Sequence, residues 1–353
     1  MSDLQFQLLA ALVKVVLVVA ALVQAVPVMT WIERRVSALI QDRWGPNRVG
    51  PLGLLQPLAD GIKFVMKEDI MPSEAHKALY FLAPAMALIP ALVAFVVIPF
   101  GPVVQISGRS VPLVVADLDG GLLFTLAAAS MGVYGIVLAG WSSNSKFSLM
   151  GGLRSAAQMV SYELALSLSL MGVVLLSGTL RPMAIVEKQA GWFWEWNAFL
   201  GGWQIVGFLI FLVAGFAETN RLPFDLPEAE AELVAGYHTE YSSMKFAMFF
   251  MAEYVNMITS SALAVTLFLG GWQLGIPTEL LGLQPGWTLW TLQILAFAGK
   301  VAFFQFVFVW VRWTLPRFRY DQLMDVGWKG LLPLALANLV FTALLAMSGR
   351  GRW

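Results

Sequence analysis

Acidic side chains are concentrated in one short segment of an otherwise apolar chain. The fourteen residues 223–236 hold one aspartate and three glutamates, although Asp, Glu, Lys and Arg make up only 12% of the protein. Glu218 and Arg221 stand just before this segment. Because crowded carboxylates repel one another and lose solvation near a membrane, a functional reason for them is expected. The chemistry that they suggest is proton uptake and transfer.

Membrane helices must position these acids. The chain has 353 residues, of which 59% are hydrophobic, and a mean hydropathy of +0.74, which indicates an integral membrane protein. A formal net charge of zero gives no basic face for nucleic acid. The absence of cysteine excludes a cysteine-ligated iron–sulfur cluster within this chain. Any electron carrier is therefore expected in another subunit.

Hydropathy predicts an all-α polytopic protein with eight transmembrane helices in a single membrane domain, 1–353. The apolar runs fall near residues 4–31, 78–100, 118–140, 156–178, 203–217, 246–269, 289–311 and 330–347. The fifth run is short, and the first lacks a cleavage pattern and is expected to be retained.

Basic residues predict the orientation of these spans. Successive loops must lie on opposite sides of the membrane. Assigned in this way, fifteen Lys and Arg residues fall on one side and five on the other, and Lys14 and Lys300 lie inside spans. Both termini are thus predicted to be periplasmic, and the long functional loops are predicted to be cytoplasmic, at 32–77, 141–155, 218–245 and 312–329.

The first of these loops contains a candidate ligand site. Apolar residues after Pro57 permit a short amphipathic helix, on which Asp60, Lys63 and Lys67 share one face. This helix either lies on the membrane surface with an internal ion pair or forms a polar portal to a cavity for an amphipathic ligand. The sequence alone leaves both interpretations open.

The acids also have two interpretations. Asp225 and Glu228 have the spacing of a helix-capping box, but Glu232 falls one turn after Glu228, where like charges repel. Glu163 enters an apolar span, where an acid normally faces an interior or water. The acids either cap a helix and bind a neighbouring subunit, or together form a proton relay.

Several segments together resemble the quinone-site membrane subunits of proton-pumping NADH:quinone oxidoreductase, respiratory complex I, a family that comprises the bacterial H subunits and mitochondrial subunit 1. The resemblance covers nearly the whole chain. The segments that carry it are 33–35 with 45–47, 53–68, 140–148, 154–163, 218–236 and 316–324.

The resemblance implies a subunit that helps to form a quinone chamber and couples quinone reduction to proton translocation. It assigns quinone binding to Arg34, Arg43, Asp60, Lys63 and Phe224. It assigns the proton relay to Glu163, Glu218, Glu228, Glu230, Glu232 and Glu240.

The resemblance also implies the surroundings of the chain. The chain itself would bind no cofactor or metal, ubiquinone or menaquinone would be the substrate, and flavin and iron–sulfur clusters would belong to partner subunits. The expected partners are the hydrophilic subunits that carry or adjoin the terminal cluster, the small membrane-arm subunits and lipid. The expected location is the bacterial inner membrane rather than the mitochondrial one.

Two other functions fit part of the pattern. A related membrane subunit of an energy-converting hydrogenase would keep the fold without needing a quinone. An ion-coupled secondary transporter would also place acids and lysines in spans, although no internal repeat is visible and the large polar loops lie on one face.

Cysteine labelling tests the predicted orientation, since the chain has no native cysteine. A cysteine introduced between Arg43 and Arg48 is expected to resist an impermeant maleimide in sealed cells, because the basic excess places this loop inside. A cysteine at Lys188, in a predicted external loop, serves as the labelled control. External labelling of the 43–48 stretch would contradict the orientation.

Overall fold

The computed structural model describes residues 3–106, 108–227, 233–278, 280, 282 and 286–348 and is mostly helical. Its helices, numbered in chain order, are α1 (Asp3–Ile40), α2 (Gln56–Met66), α3 (Lys77–Ala94), α4 (Gly121–Ser142), α5 (Lys146–Ser177), α6 (Pro182–Glu187), α7 (Gln204–Glu218), α8 (Ser243–Phe268), α9 (Trp287–Thr314), α10 (Tyr320–Asp325) and α11 (Leu332–Met347). A π-helix, Val326–Leu331, joins α10 to α11, and β1 (Val103–Ile106) pairs antiparallel with β2 (Arg109–Pro112).

Seven helices within the described residues are long and apolar enough to cross a membrane: α1, α3, α4, α5, α8, α9 and the continuous α10–α11 segment. These helices confirm a helical polytopic membrane protein. Helix α7 has 15 residues and is apolar. Its length of about 22 Å is less than the roughly 30 Å of a bilayer's hydrocarbon core, so length alone does not make it the eighth span.

The helices extend beyond the apolar runs that predicted them. Helix α1 continues to Ile40, α5 starts at Lys146, and the last span begins as helix at Tyr320. Hydropathy marks only the stretch that suits lipid, whereas backbone hydrogen bonding continues into polar residues. Parts of the predicted loops 32–77, 141–155 and 312–329 are therefore helical.

Helices α3, α4, α5 and α8 form the centre of the bundle, and α7 and α11 pack against α5. Small residues permit this packing. A Cβ at Gly135 of α4 would lie 2.6 Å from the backbone nitrogen of Ala87 on α3. A Cβ at Gly151 of α5 would lie 2.7 Å from the backbone nitrogen of Tyr237. Because these glycines have no side chain, α3 can lie close to α4 and the turn at 236–238 can lie close to α5.

The two lysines predicted inside spans both donate hydrogen bonds to backbone carbonyls. Lys14 donates to the carbonyl of Val114 at 2.6 Å, beside the hairpin. Lys300 donates to the carbonyls of Leu269 and Gln273, each at 2.7 Å, and to that of Gly271 at 3.1 Å. Each ammonium thus satisfies loop carbonyls at the end of the bundle that carries the hairpin.

The short helix predicted after Pro57 is confirmed as α2. It lies across the opposite end of the bundle, where the Ser243 hydroxyl donates to the carbonyl of Phe64 at 2.8 Å. The side chains of Leu58, Ile62 and Val65 are exposed, and none of its residues is buried. An amphipathic helix with its apolar side chains uncovered needs lipid, a ligand or another subunit against it.

Candidate functional site

A buried glutamate on α1 is the centre of a charged cluster. Glu33 is 6% exposed and accepts a hydrogen bond from the Tyr254 hydroxyl on α8 at 2.6 Å. Arg221 donates to it at 3.2 Å, and Arg312 of α9 contacts the same carboxylate oxygen. Three separate segments of the chain therefore meet on one carboxylate.

Arg221 extends this cluster to a second acid. Its Nε lies 2.5 Å from a carboxylate oxygen of Glu253 on α8, and its guanidinium lies over the Tyr254 ring at 4.4 Å. Burial opposes the charge of Arg221, but Glu253 and Glu33 hold its pKa well above the usual value. Glu33, Arg221, Glu253, Tyr254 and Arg312, called here the Glu33 cluster, pair two carboxylates with two guanidinium groups. Such pairing makes burial of the charges tolerable.

Gln158 of α5 fixes the turn that carries Arg221. Its side-chain amide donates to the carbonyl of Ala217 at 2.8 Å and to that of Phe224 at 2.9 Å, and it lies 3.2 Å from the side-chain oxygen of Asn220. This one amide binds the end of α7 and the residues after it to the bundle core. Gln158, at the start of the apolar part of α5, thus fixes the position of the first residues of the acidic segment.

Two small cavities lie next to this cluster. Cavity A, of about 30 Å³, is lined by polar side chains that include Glu218, Asn220, Glu253 and Asn256. Cavity B, of about 20 Å³, is lined by Glu218 and Asn256 again, together with Thr125, Thr259 and Ser260. Apolar side chains complete both linings, and a cavity of this size with several polar groups in its wall accommodates an ordered water molecule.

Two predicted relay acids lie together beside these cavities. Glu218 ends α7 and lines both cavities. Glu163 of α5 is close enough to interact electrostatically with Glu218, and its carboxylate contacts the hydroxyl of Ser130 on α4. Two neighbouring carboxylates, one beside water-sized cavities and the other beside a hydroxyl group, suit proton exchange, which is the chemistry that the sequence suggested.

The other relay predictions fall elsewhere. Glu228, Glu230 and Glu232 lie outside the described residues. The backbone carbonyl of Glu240 accepts a hydrogen bond from the Tyr80 hydroxyl at 2.7 Å, and Tyr241 stacks on Tyr80 at 4.2 Å. Burial raises the pKa of Tyr241 to about 12, so this hydroxyl stays protonated. The structure therefore places the Glu240 backbone in a tyrosine contact at the start of α3.

Three of the residues predicted for the quinone site form one ion-pair group. Arg34 of α1 donates to Asp60 of α2 at 2.6 Å, and Lys63 lies 3.4 Å from the same carboxylate. Arg43 is separate from this group and donates to Gln41 at 2.7 Å. Arg34 directly follows Glu33 on α1, so the group adjoins the Glu33 cluster.

Phe224, the fifth predicted quinone-site residue, is 5% exposed. Its ring centroid lies 5.5 Å from that of Tyr162 and 5.4 Å from that of Phe318. Asp225 beside it pairs with Arg317 at 3.0 Å. Aromatic packing and this ion pair hold the start of the acidic segment against the segment that precedes α10.

Several residues of the charged network were missed as site candidates. Glu33, Arg221 and Arg312 lie at or within the predicted polar loops but had no predicted role, and neither had Tyr254 and Asn256. One feature of the sequence could have identified this site: Glu253 and Asn256 lie within one helical turn of each other inside an apolar span. Among the described residues, no group of three His, Cys, Asp or Glu side chains is arranged to hold a metal ion.

Comparison with known proteins decides the family. Residues 13–343 match the family described as NADH dehydrogenase. The chain belongs to the NADH dehydrogenase family. The second H subunit of NADH-quinone oxidoreductase from Koribacter versatilis is 54% identical over 354 aligned positions, which cover 98% of this chain and 99% of the relative. The H subunit from Salinibacter ruber is 55% identical over 93% of each chain, and NADH-quinone oxidoreductase subunit 8 of Rhodothermus marinus is 51% identical over 93% of this chain and 94% of the relative.

Membership of the NADH dehydrogenase family confirms the resemblance seen in the sequence and decides against the transporter alternative. The names of the relatives favour NADH-quinone oxidoreductase over a hydrogenase. They also support a multi-pass protein of a bacterial membrane.

Removal of the Arg221 guanidinium group tests the importance of the Glu33 cluster for stability. Arg221→Met is expected to destabilise the chain by about 3–5 kcal/mol, because Glu33 and Glu253 would remain buried with a missing partner. The measurement is the denaturation midpoint of the purified protein in detergent. The control is Arg319→Met, which breaks an ion pair in which both side chains are exposed and which therefore contributes little to stability. Equal midpoints for both variants would contradict the central role of Arg221.

Proposed function

We propose that this chain is the H subunit of NADH-quinone oxidoreductase, that it forms part of the quinone chamber, and that it couples quinone reduction to proton movement. The observation that carries the proposal is the adjacency of Arg34 and Glu33 on α1. Arg34 pairs with Asp60 at the predicted quinone site, while Glu33 belongs to the buried cluster. Through Arg221 and Glu253, that cluster reaches cavity A.

The chamber wall is proposed to be the C-terminal end of α1 together with α2. A quinone headgroup has carbonyl oxygens that need donors, and Arg34 and Lys63 supply them. Its isoprenoid tail needs an apolar lining, and the exposed Leu58 and Ile62 of α2 supply one. Arg43 and Phe224 remain sequence-based candidates for the same chamber.

Coupling is proposed to act through charge. Reduction of a quinone consumes protons as well as electrons, so each turnover changes the charge next to Asp60 and Arg34. Arg34 is joined to Glu33 through the backbone of α1, and ion pairs continue from Glu33 through Arg221 to Glu253. This arrangement provides a physical connection by which the change can alter proton affinity at Glu218 and Glu163. Glu228, Glu230, Glu232 and Glu240 are retained as predicted members of the relay.

The proposal places both termini in the periplasm and α7 as a short eighth crossing of the bacterial inner membrane. Asp3 pairs with Arg109 of the hairpin at 2.6 Å, so the start of α1 and this predicted external loop share one end of the bundle. The predicted cytoplasmic residues Asp60, Arg221 and Arg312 meet at the other end. The exposed Trp44 and Leu52 at that end suit docking of the hydrophilic partner subunits.

Loss of the Arg34 side chain tests the quinone site. Arg34→Ala is expected to raise the apparent quinone Michaelis constant by about tenfold, because a charged hydrogen bond contributes roughly 1.5–3 kcal/mol. NADH oxidation by an artificial acceptor should stay normal, which shows that electron input through the partner subunits is intact. Lys146→Ala, at the start of α5 on the same predicted side, is the control. Unchanged quinone kinetics in assembled enzyme would remove Arg34 from the site.

Neutralisation of Glu218 tests the coupling. Glu218→Gln keeps the size of the side chain but cannot carry a charge, so quinone-linked turnover and proton pumping should fall together by about 100-fold. Reduction of an artificial acceptor by NADH should persist. Glu187→Gln, at the end of α6, removes an exposed carboxylate as the control. Normal pumping by the Glu218 variant would leave the acid with a structural role only.

A further inference from the structure

Cavities A and B meet at three residues. Glu218, Thr219 and Asn256 line both of them. Cavity A leads from these residues to Glu253 and the Glu33 cluster, and cavity B leads to Thr259 and Ser260, deeper along α8. The polar atoms of these three residues are therefore available to a hydrogen-bonded chain that passes from one cavity to the other.

The three residues differ in whether their side-chain polar groups are already hydrogen-bonded within the helix. The Thr219 side chain is 3% exposed, and its hydroxyl donates back to the carbonyls of Gly215 at 3.0 Å and Phe216 at 3.2 Å. Glu218 can store or release a proton. Asn256 differs from both, because its carboxamide donates and accepts hydrogen bonds but does not titrate.

The position of Asn256 follows from helix geometry. Glu253, Asn256 and Ser260 are spaced by three and four residues on α8, so they share one face. That face packs closely on α7, since a Cβ at Gly215 would lie 2.6 Å from the Ser260 hydroxyl. Asn256 is thus held midway between the acid of the Glu33 cluster and the hydroxyl groups of cavity B.

The lining of cavity B contains a buried polar group that needs a partner. Thr259 is 5% exposed, and its hydroxyl has no hydrogen-bond partner within the described part of the chain. Buried hydroxyl groups in folded proteins are nearly always paired with protein or with ordered water. A water molecule in cavity B would satisfy it and would lie within the same small space as Asn256 and Glu218.

We propose that the Asn256 carboxamide is a positioning residue that joins cavities A and B and keeps a continuous hydrogen-bonded path past Glu218. Its amide group donates to one neighbouring water or carboxylate while its carbonyl oxygen accepts from another. The side chain orders the path without trapping a proton on itself. This inference rests on the proposed coupling role of Glu218 and adds a residue that does not titrate to the proposed proton path.

An apolar substitution with the same branching provides the test. Asn256→Leu keeps the branch at Cγ but removes both hydrogen-bonding groups, so quinone-linked turnover and pumping should fall by about tenfold in assembled enzyme. The solvent deuterium isotope effect on turnover should rise, because proton delivery becomes limiting. Asn256→Ser, which restores a group that donates and accepts, should recover most of the activity. Thr266→Val, a polar-to-apolar change at a buried site on the same helix, is the control and should leave both values unchanged.

The outcomes separate this inference from the proposed function. Loss of pumping in Glu218→Gln with normal turnover and isotope effect in Asn256→Leu would overturn the role of Asn256 alone. Normal pumping in Glu218→Gln would overturn the coupling proposal itself. Lowered turnover in Asn256→Leu with an unchanged isotope effect and no recovery in Asn256→Ser would identify a packing role and would also overturn the inference.

Discussion

The architecture depends on keeping a buried carboxylate neutralised at one end of a membrane bundle. Glu33 lies in the interior, and its charge is balanced only because Arg221, from the turn after α7, and Arg312, from the end of α9, converge on it. A second acid, Glu253, is balanced by the same Arg221. Because an unpaired buried charge is very costly, these contacts fix where α1, α8, α9 and the turn after α7 meet.

The same requirement is met differently at the opposite end. There Lys300 satisfies three backbone carbonyls, and Lys14 satisfies two, those of Pro112 in the hairpin and of Val114 beside it. Neither ammonium forms a salt bridge with a carboxylate in the part of the chain that the structure describes. Backbone carbonyls at that end hold the two ammonium groups, whereas titratable acids at the other end lie close to one another and to small cavities. This asymmetry makes one end structural and the other suitable for proton chemistry.

The acidic region is a set of linked but distinct environments. Glu253 is held by Arg221, Glu218 lies between two cavities, and Glu163 contacts a hydroxyl group of α4. Acids in unlike surroundings differ in proton affinity, and acids that interact titrate as a group. On the proposed function, a change of charge at the α1–α2 end redistributes protons within the group without any large movement of the helices.

The sequence by itself determined the membrane class, the apolar segments, the helix after Pro57, the acidic character of one face and the family. These properties follow from local composition and motif, which folding does not alter. The tertiary structure decided which charges pair. Arg221 and Glu33 are 188 positions apart, and Arg312 and Glu33 are 279 apart, so no periodicity connects them. Asn256 looked like an ordinary polar residue in a span, because its significance comes from two cavities that exist only when α7 packs against α8. By sequence, the Phe224 ring beside the acidic turn could face either a ligand or the protein core. Packing decided this, because the ring contacts those of Tyr162 and Phe318.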